Sequence, residues 1–158
     1  MTSTTEAAFR TTLMVGAPIE RAFTVFTAGI GTWWPKAHHV GTAELADVVI
    51  EGRPGGRWLE RNVDGSECEW GRVLAWEPPQ RVVLAWHLNA DFEFDPDPER
   101  ASRVEVRFTA AGERSTRVDF EHADLDRVGE RWPALLNEIS EKNGWPFILE
   151  HFTTSAAA

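Results

Sequence analysis

Apolar residues recur along this chain with two different periods. The helical one is clearest near the end, between Asp124 and Phe152, where Trp145, Ile148, Leu149 and Phe152 fall at i, i+3, i+4 and i+7. That spacing stacks bulky groups on one helix face, while Lys142, Glu150 and Thr153 fall on other faces. Asn143-Gly144-Trp145-Pro146 interrupts the stretch. In a helix interior Gly costs about 1 and Pro about 3 kcal/mol. The pattern therefore predicts two helices, near 126–142 and 144–154, or one sharp kink. Pro146 then belongs in the first turn of the second helix, where its missing N–H costs nothing.

Upstream the period is mostly two. Phe9 to Val15 reads as a first strand. One helix follows: Pro18 suits its first position, Ile19, Ala22, Phe23 and Phe26 recur at helical spacing, and Gly29 and Gly31 end it. A short turn then carries Trp33 and Trp34 ahead of Pro35. Between Leu45 and Arg61, two strand-like runs flank Gly52-Arg53-Pro54-Gly55-Gly56, a hairpin turn. Asp64-Gly65 marks a second tight turn. Glu67 to Trp76 and Arg81 to Leu88 read as strands on either side of Pro78-Pro79. Ala90 to Glu99 is acidic, carries prolines and reads as a solvated loop. Ser102 to Thr109 and Ser115 to His122 alternate cleanly as a last hairpin turning at Ala111-Gly112-Glu113. Val104, Val106, Phe108, Val118, Phe120 and His122 fall on one set of faces, and charged residues on the other. The prediction is an α+β domain: an antiparallel sheet with helices on its apolar side. It is read as one domain over 1–158, with 1–8 and 154–158 frayed.

Composition narrows the partners. The net charge of −9, from 25 acidic and 16 basic residues, disfavours nucleic acid and anionic lipid. The N-terminus lacks the pattern of a signal peptide and no apolar run is long enough to span a bilayer, so no membrane association and a cytoplasmic location are expected. One cysteine, Cys68, can build neither an internal disulfide nor a zinc site by itself. His38-His39 has no third metal ligand nearby in sequence and reads as a loop pair. No metal or cofactor is expected. Eight tryptophans without a tyrosine suit either a core of large rings or a pocket with flat apolar walls.

Several local motifs follow one another in a familiar order. They are Ala17-Pro18-Ile19-Glu20-Arg21-Ala22-Phe23, the Trp33-Trp34 pair, Arg53-Pro54-Gly55-Gly56-Arg57-Trp58, Gly71-Arg72-Val73-Leu74, Pro78-Pro79-Gln80-Arg81 through Trp86, and Gly144-Trp145-Pro146-Phe147-Ile148-Leu149. Together they resemble the START-like, or SRPBCC, superfamily, in the branch of homologues of the activator of heat-shock-protein-90 ATPase. The resemblance covers most of 9–153. It implies a helix-grip fold, a curved antiparallel β-sheet wrapped around a long C-terminal helix with a cavity between. It also implies binding of small apolar molecules. Some superfamily members are cyclases or hydrolases, and bacterial members of this branch share no catalytic motif.

On that frame the candidate cavity-lining residues are Trp33, Trp34, Trp58, Glu60, Trp86, Phe120, His122, Trp145, Ile148, Leu149 and Phe152. The leading expectation is a ligand-binding domain without catalysis. A second is a cyclase- or hydratase-type enzyme using His122 and Glu60, since a carboxylate and an imidazole inside one pocket can form an acid–base pair. The bland alternative places both at the cavity rim, bonded to backbone or water. A third is a homodimer or a chaperone-associated module, with Trp132, Leu135, Leu136 and Ile139 covering either an interface or the core.

Overall fold

A computed structural model describes residues 7–158. Seven strands form one antiparallel sheet: β1 (Phe9–Val15), β2 (Leu45–Ile50), β3 (Arg57–Asn62), β4 (Glu67–Glu77), β5 (Arg81–Trp86), β6 (Ser102–Gly112) and β7 (Ser115–Ala123). Their order across the sheet is β1-β7-β6-β5-β4-β3-β2. Only β1 is placed out of sequence order. It pairs with β7, Phe9 opposite His122 and Val15 opposite Thr116, so the chain's first and last strands meet at one edge. Val104, Val106, Phe108, Val118 and Phe120 alternate into the core, as the sequence pattern predicts. The outer face carries ion pairs, with Arg103 bridging Glu105 and Glu121.

Helices α1 (Ile19–Phe26), α2 (Ile30–Trp33), α3 (Trp132–Ser140) and α4 (Trp145–Ala157) pack on the inner face. This is the α+β helix-grip architecture. Trp33, expected in a plain turn, ends the single-turn helix α2. The helix expected near 126–142 divides. A 3-10 turn covers Leu125–Val128, and α3 begins only at Trp132. Gly129, with φ at 114°, reverses the chain between them, and Pro133 favours a fresh start because it needs no N–H partner.

The break at Gly144 is a true one. A Cβ on this glycine would lie 2.3 Å from the Ile139 carbonyl oxygen, so only glycine lets α3 turn into α4 this tightly. Helix α4 then runs past the expected end near 154. Thr154 to Ala157 are helical and Ala156 is buried. Arg21 holds this end: its Nε donates to the Ala156 carbonyl at 2.8 Å and its Nη2 to that of Ala158 at 2.9 Å. These are terminal carbonyls that the helix cannot satisfy itself.

Candidate functional site

Strands β3, β4 and β5, the Trp33–Trp34 corner and the start of α4 each bring a tryptophan to one region. Trp34, Trp70, Trp58, Trp86 and Trp145 form a closed ring of indoles. Consecutive centroids are 5.1, 5.6, 5.4, 5.8 and 5.9 Å apart, mostly edge to face. Beside this ring lies a cavity of about 440 Å³. Its apolar walls are Trp34, Trp70, Trp86, Trp145, Ile139 and Ile148, and residues 37–40 close one side. The mouth carries Glu138, Glu141 and Asn143 from the α3–α4 corner together with His38 and His39, and His38 Nε2 lies 2.6 Å from the Asn143 carbonyl oxygen.

Of the residues expected around a cavity, Trp34, Trp86, Trp145 and Ile148 lie on its wall. The structure does not bring the other seven there. Trp33, Trp58, Phe120, Leu149 and Phe152 pack in the layer behind, each almost fully buried. Glu60 and His122 are also behind the wall, and completely buried. Their bonds explain how two polar groups tolerate that position. Glu60 Oε1 accepts from the Val40 N–H at 2.6 Å and from Trp70 Nε1 at 2.9 Å, and Oε2 accepts from the Gly41 N–H at 3.0 Å. Gly41 comes so close that a Cβ there would meet Asn62 Nδ2 at 2.5 Å. Glu60 therefore ties the 37–41 loop to the indole of Trp70, one cavity wall to another.

His122 is equally committed. Trp145 Nε1 donates to its Nδ1 at 3.0 Å. An indole nitrogen only donates, so the imidazole proton is on Nε2, which donates to Ser102 Oγ at 2.8 Å. Burial lowers the pKa of His122 from 6.5 to about 3, so the ring is neutral near pH 7. Neither Glu60 nor His122 offers a proton or lone pair to the cavity. The acid–base pair suggested by the sequence is instead two structural supports, beneath the wall rather than at its rim.

Burial also bears on two other groups. Leu135 and Ile139 are core residues, and Trp132 and Leu136 are half-buried against the core, which leaves little of that stripe for an interface. Burial and then the charge of Glu60 push the Cys68 thiol pKa up, the wrong direction for a nucleophile. Among the described residues no group of three His, Cys, Asp or Glu could hold a metal, and no helix is long and apolar enough to cross a membrane.

Trp70, Leu88, Phe92, Ile139 and the 37–40 loop are among the wall residues that sequence reasoning missed. The β3–β4 register shifts at Trp70, so that Trp58 pairs with Gly71 and Leu59 with Glu69. Such a bulge breaks the alternation that would otherwise assign its face. His38 and His39 gave one usable signal, two polar rings next to a paired-tryptophan corner.

The geometry has relatives. Residues 16–156 match the family described as activator of Hsp90 ATPase homolog 1-like protein. The chain belongs to this family. No functionally curated protein matches the chain. Among solved structures, an anthrahydroquino-gamma-pyrone synthase, Txn09, is 34% identical, with 93% of this chain and 95% of that one covered and a TM-score of 0.66. CalC of Micromonospora echinospora, a self-sacrificing resistance protein, is 30% identical over 94% and 93%, with a TM-score of 0.69. The protein NE0264 of Nitrosomonas europaea shares the fold at 14% identity, with 94% and 93% covered and a TM-score of 0.65.

Proposed function

We propose that this chain binds a small, mainly apolar molecule with a flat ring system between the sheet and the α3–α4 corner. One observation carries the reading: a cavity of about 440 Å³ walled by four tryptophans. That volume is within the range of small-molecule sites, and indoles match planar rings in shape and polarizability. The 34%-identical relative, a synthase of a fused-ring product by its name, supports the same ligand shape. It also favours a second reading, in which the bound molecule reacts. Any proton transfer would then fall to groups on the wall, such as His38, and not to Glu60 and His122.

The test is a titration of intrinsic tryptophan fluorescence with flat aromatic probes, naphthols and hydroxyanthraquinones among them. Saturable changes are expected. They should vanish in Ala37→Trp, which fills the mouth with an indole. If no probe saturates, or if Ala37→Trp binds as well as the parent protein, the reading is wrong. Incubation of any bound probe followed by product analysis separates binding from turnover.

A further inference from the structure

The outer face of the sheet holds a second hollow. Strand alternation carries Trp86 inward to the cavity, and Ala85 and His87 outward. There they line a groove of about 630 Å³, walled by Leu74 of β4 and by Phe94, Pro96 and Pro98. The last three belong to the acidic stretch that the sequence presents as a solvated loop. It is instead folded back on the sheet. Leu88 bridges to Phe94, the Asp95 N–H donates to the His87 carbonyl at 2.8 Å, and Arg100 Nε donates to Asp95 Oδ2 at 2.9 Å. His87 is a buried polar residue of this lining, 7% exposed, with its ring stacked on Phe94 at 5.6 Å. Its Nδ1 lies 2.9 Å from the Asp95 carbonyl oxygen, which can only accept. In the neutral ring the proton is therefore on Nδ1, and Nε2 carries the lone pair. Nε2 has no hydrogen-bond partner and, unlike the sealed indole nitrogens of Trp58 and Trp86, it keeps accessible surface. A nine-tenths-buried side chain thus presents one open acceptor to the groove.

We infer that this groove is a second binding site, for a neutral phenol whose hydroxyl donates to His87 Nε2 while its ring covers Phe94 and Leu74. The site is separate from the cavity and does not depend on the function proposed for it. The lone pair asks for a donor. The walls ask for an apolar body: Leu74 is 56% and Phe94 40% exposed, on a sheet face that is otherwise charged. Water can satisfy Nε2 but leaves those walls uncovered. A flat ring suits Phe94 and the two prolines, and a phenolic O–H is a stronger donor than an aliphatic one. The rim asks for no net charge. Arg72 pairs with Glu69 at 2.7 Å and Arg103 with Asp124 at 3.4 Å, and Arg127 is solvent-exposed, where a charge contributes little.

The experiment titrates nitrogen-15-labelled protein by NMR, at about pH 8, with para-ethylphenol, its methyl ether para-ethylanisole, and para-ethylbenzoate. The ether keeps the body and loses the donor. The phenol should shift the amides of Leu74, Ala85, His87 and Phe94 and the Nε2 resonance of His87. It should bind there roughly fivefold more tightly than the ether, the net worth of one hydrogen bond, and more tightly than the benzoate. His87→Asn keeps an amide donor for the Asp95 carbonyl but lacks Nε2, so it should bring the phenol down to the ether. Leu74→Gln, at an exposed position, should weaken all three probes together. Equal affinities for phenol and ether, a tighter benzoate, or a phenol preference that survives in His87→Asn would overturn the assignment. So would unchanged affinity in Leu74→Gln. If no probe shifts the groove amides, Nε2 serves water alone and the site does not exist. Gly41 and Ile148 report on the cavity in the same spectra, so failure at the groove and failure of the proposed function are read separately.

Discussion

The two ends of the space between sheet and α4 are both lined with aromatic rings, yet one is solid and the other is hollow. At the solid end Phe152 meets Phe26 at 5.1 Å and Trp33 at 5.3 Å, and Phe108 meets Phe23 at 5.3 Å. Two helices, α1 and α2, close over this end. At the hollow end the cover is a loop and a helix corner, and the rings stand in a closed circuit beside a void. The buried polar side chains Glu60, His122 and Ser102 cluster here. Close packing fixes the solid end. Directional bonds fix the hollow end, because walls around a void lack packing partners on one side and need another restraint. Aromatic content therefore does not make a cavity. What closes over the rings does.

The largest expected effect comes from cutting one ring at each end. Phe152→Ala and Trp145→Ala should each lose about 3–5 kcal/mol of stability. They should differ in binding. Below its melting temperature the Phe152 variant should bind a flat aromatic probe as the parent does, whereas the Trp145 variant, with a wall removed, should bind with altered affinity. Calorimetric melts and probe titrations on the same samples decide it. Unaltered binding by folded Trp145→Ala would take Trp145 out of the site and erase the contrast.

Next comes the tie between the walls. Glu60→Gln keeps the shape but turns an amide donor toward one of the three N–H groups that the carboxylate now serves. A buried donor left unpaired costs about 1–3 kcal/mol. The loss should be local. Hydrogen exchange at Val40 and Gly41 should accelerate and probe affinity should fall, while amides of β6 and β7 stay protected relative to global stability. Continued protection of Val40 and Gly41 would mean that packing, not Glu60, holds this wall.

Acid should reveal His122. Its folded pKa is lowered to about 3 and its ordinary value is 6.5. Between those values the unfolded chain binds a proton that the folded chain refuses. Stability from this group is thus full above about 6.5 and is lost as pH falls toward 3. The slope is about 1.4 kcal/mol per pH unit in that window. His122→Gln removes the titration, so its stability should fall less steeply with acid than the parent's, even if it starts lower. Parallel curves would show that the ring protonates in the folded state.

Much of this contrast is hidden from the sequence, although the fold itself is legible. Val104, Val106, Phe108, Val118 and Phe120 alternate, and the Trp145–Phe152 stripe is helical, because burial on one face imposes a period on any sequence. The period says which face is inside but not what lies opposite. Trp33 and Trp34 are neighbours, yet Trp33 packs on Phe152 and Trp34 lines the cavity. On one stripe Ile148 reaches the cavity and Phe152 does not. Position along α4 and the cover above it decide these cases, and both are tertiary facts. Glu60 and His122 are legible as inward-facing polar groups. Their roles depend on partners 10 to 23 residues away in sequence, which no local pattern names.

The smallest expected effect tests whether the two ends are independent. Arg21, at the solid end, donates to the carbonyls of Ala156 and Ala158. A cation at a helix C-terminus contributes about 0.3–1 kcal/mol, and the effect fades within one turn. Arg21→Ala should therefore fray the last turn of α4 and lower the melting temperature slightly. Trp145 begins the same helix, three turns away from Ala156, and is fixed by His122 and the indole ring rather than by its far end. Probe affinity should not move. If Arg21→Ala does weaken binding, α4 transmits strain along its whole length, and the solid end helps to set the shape of the hollow one.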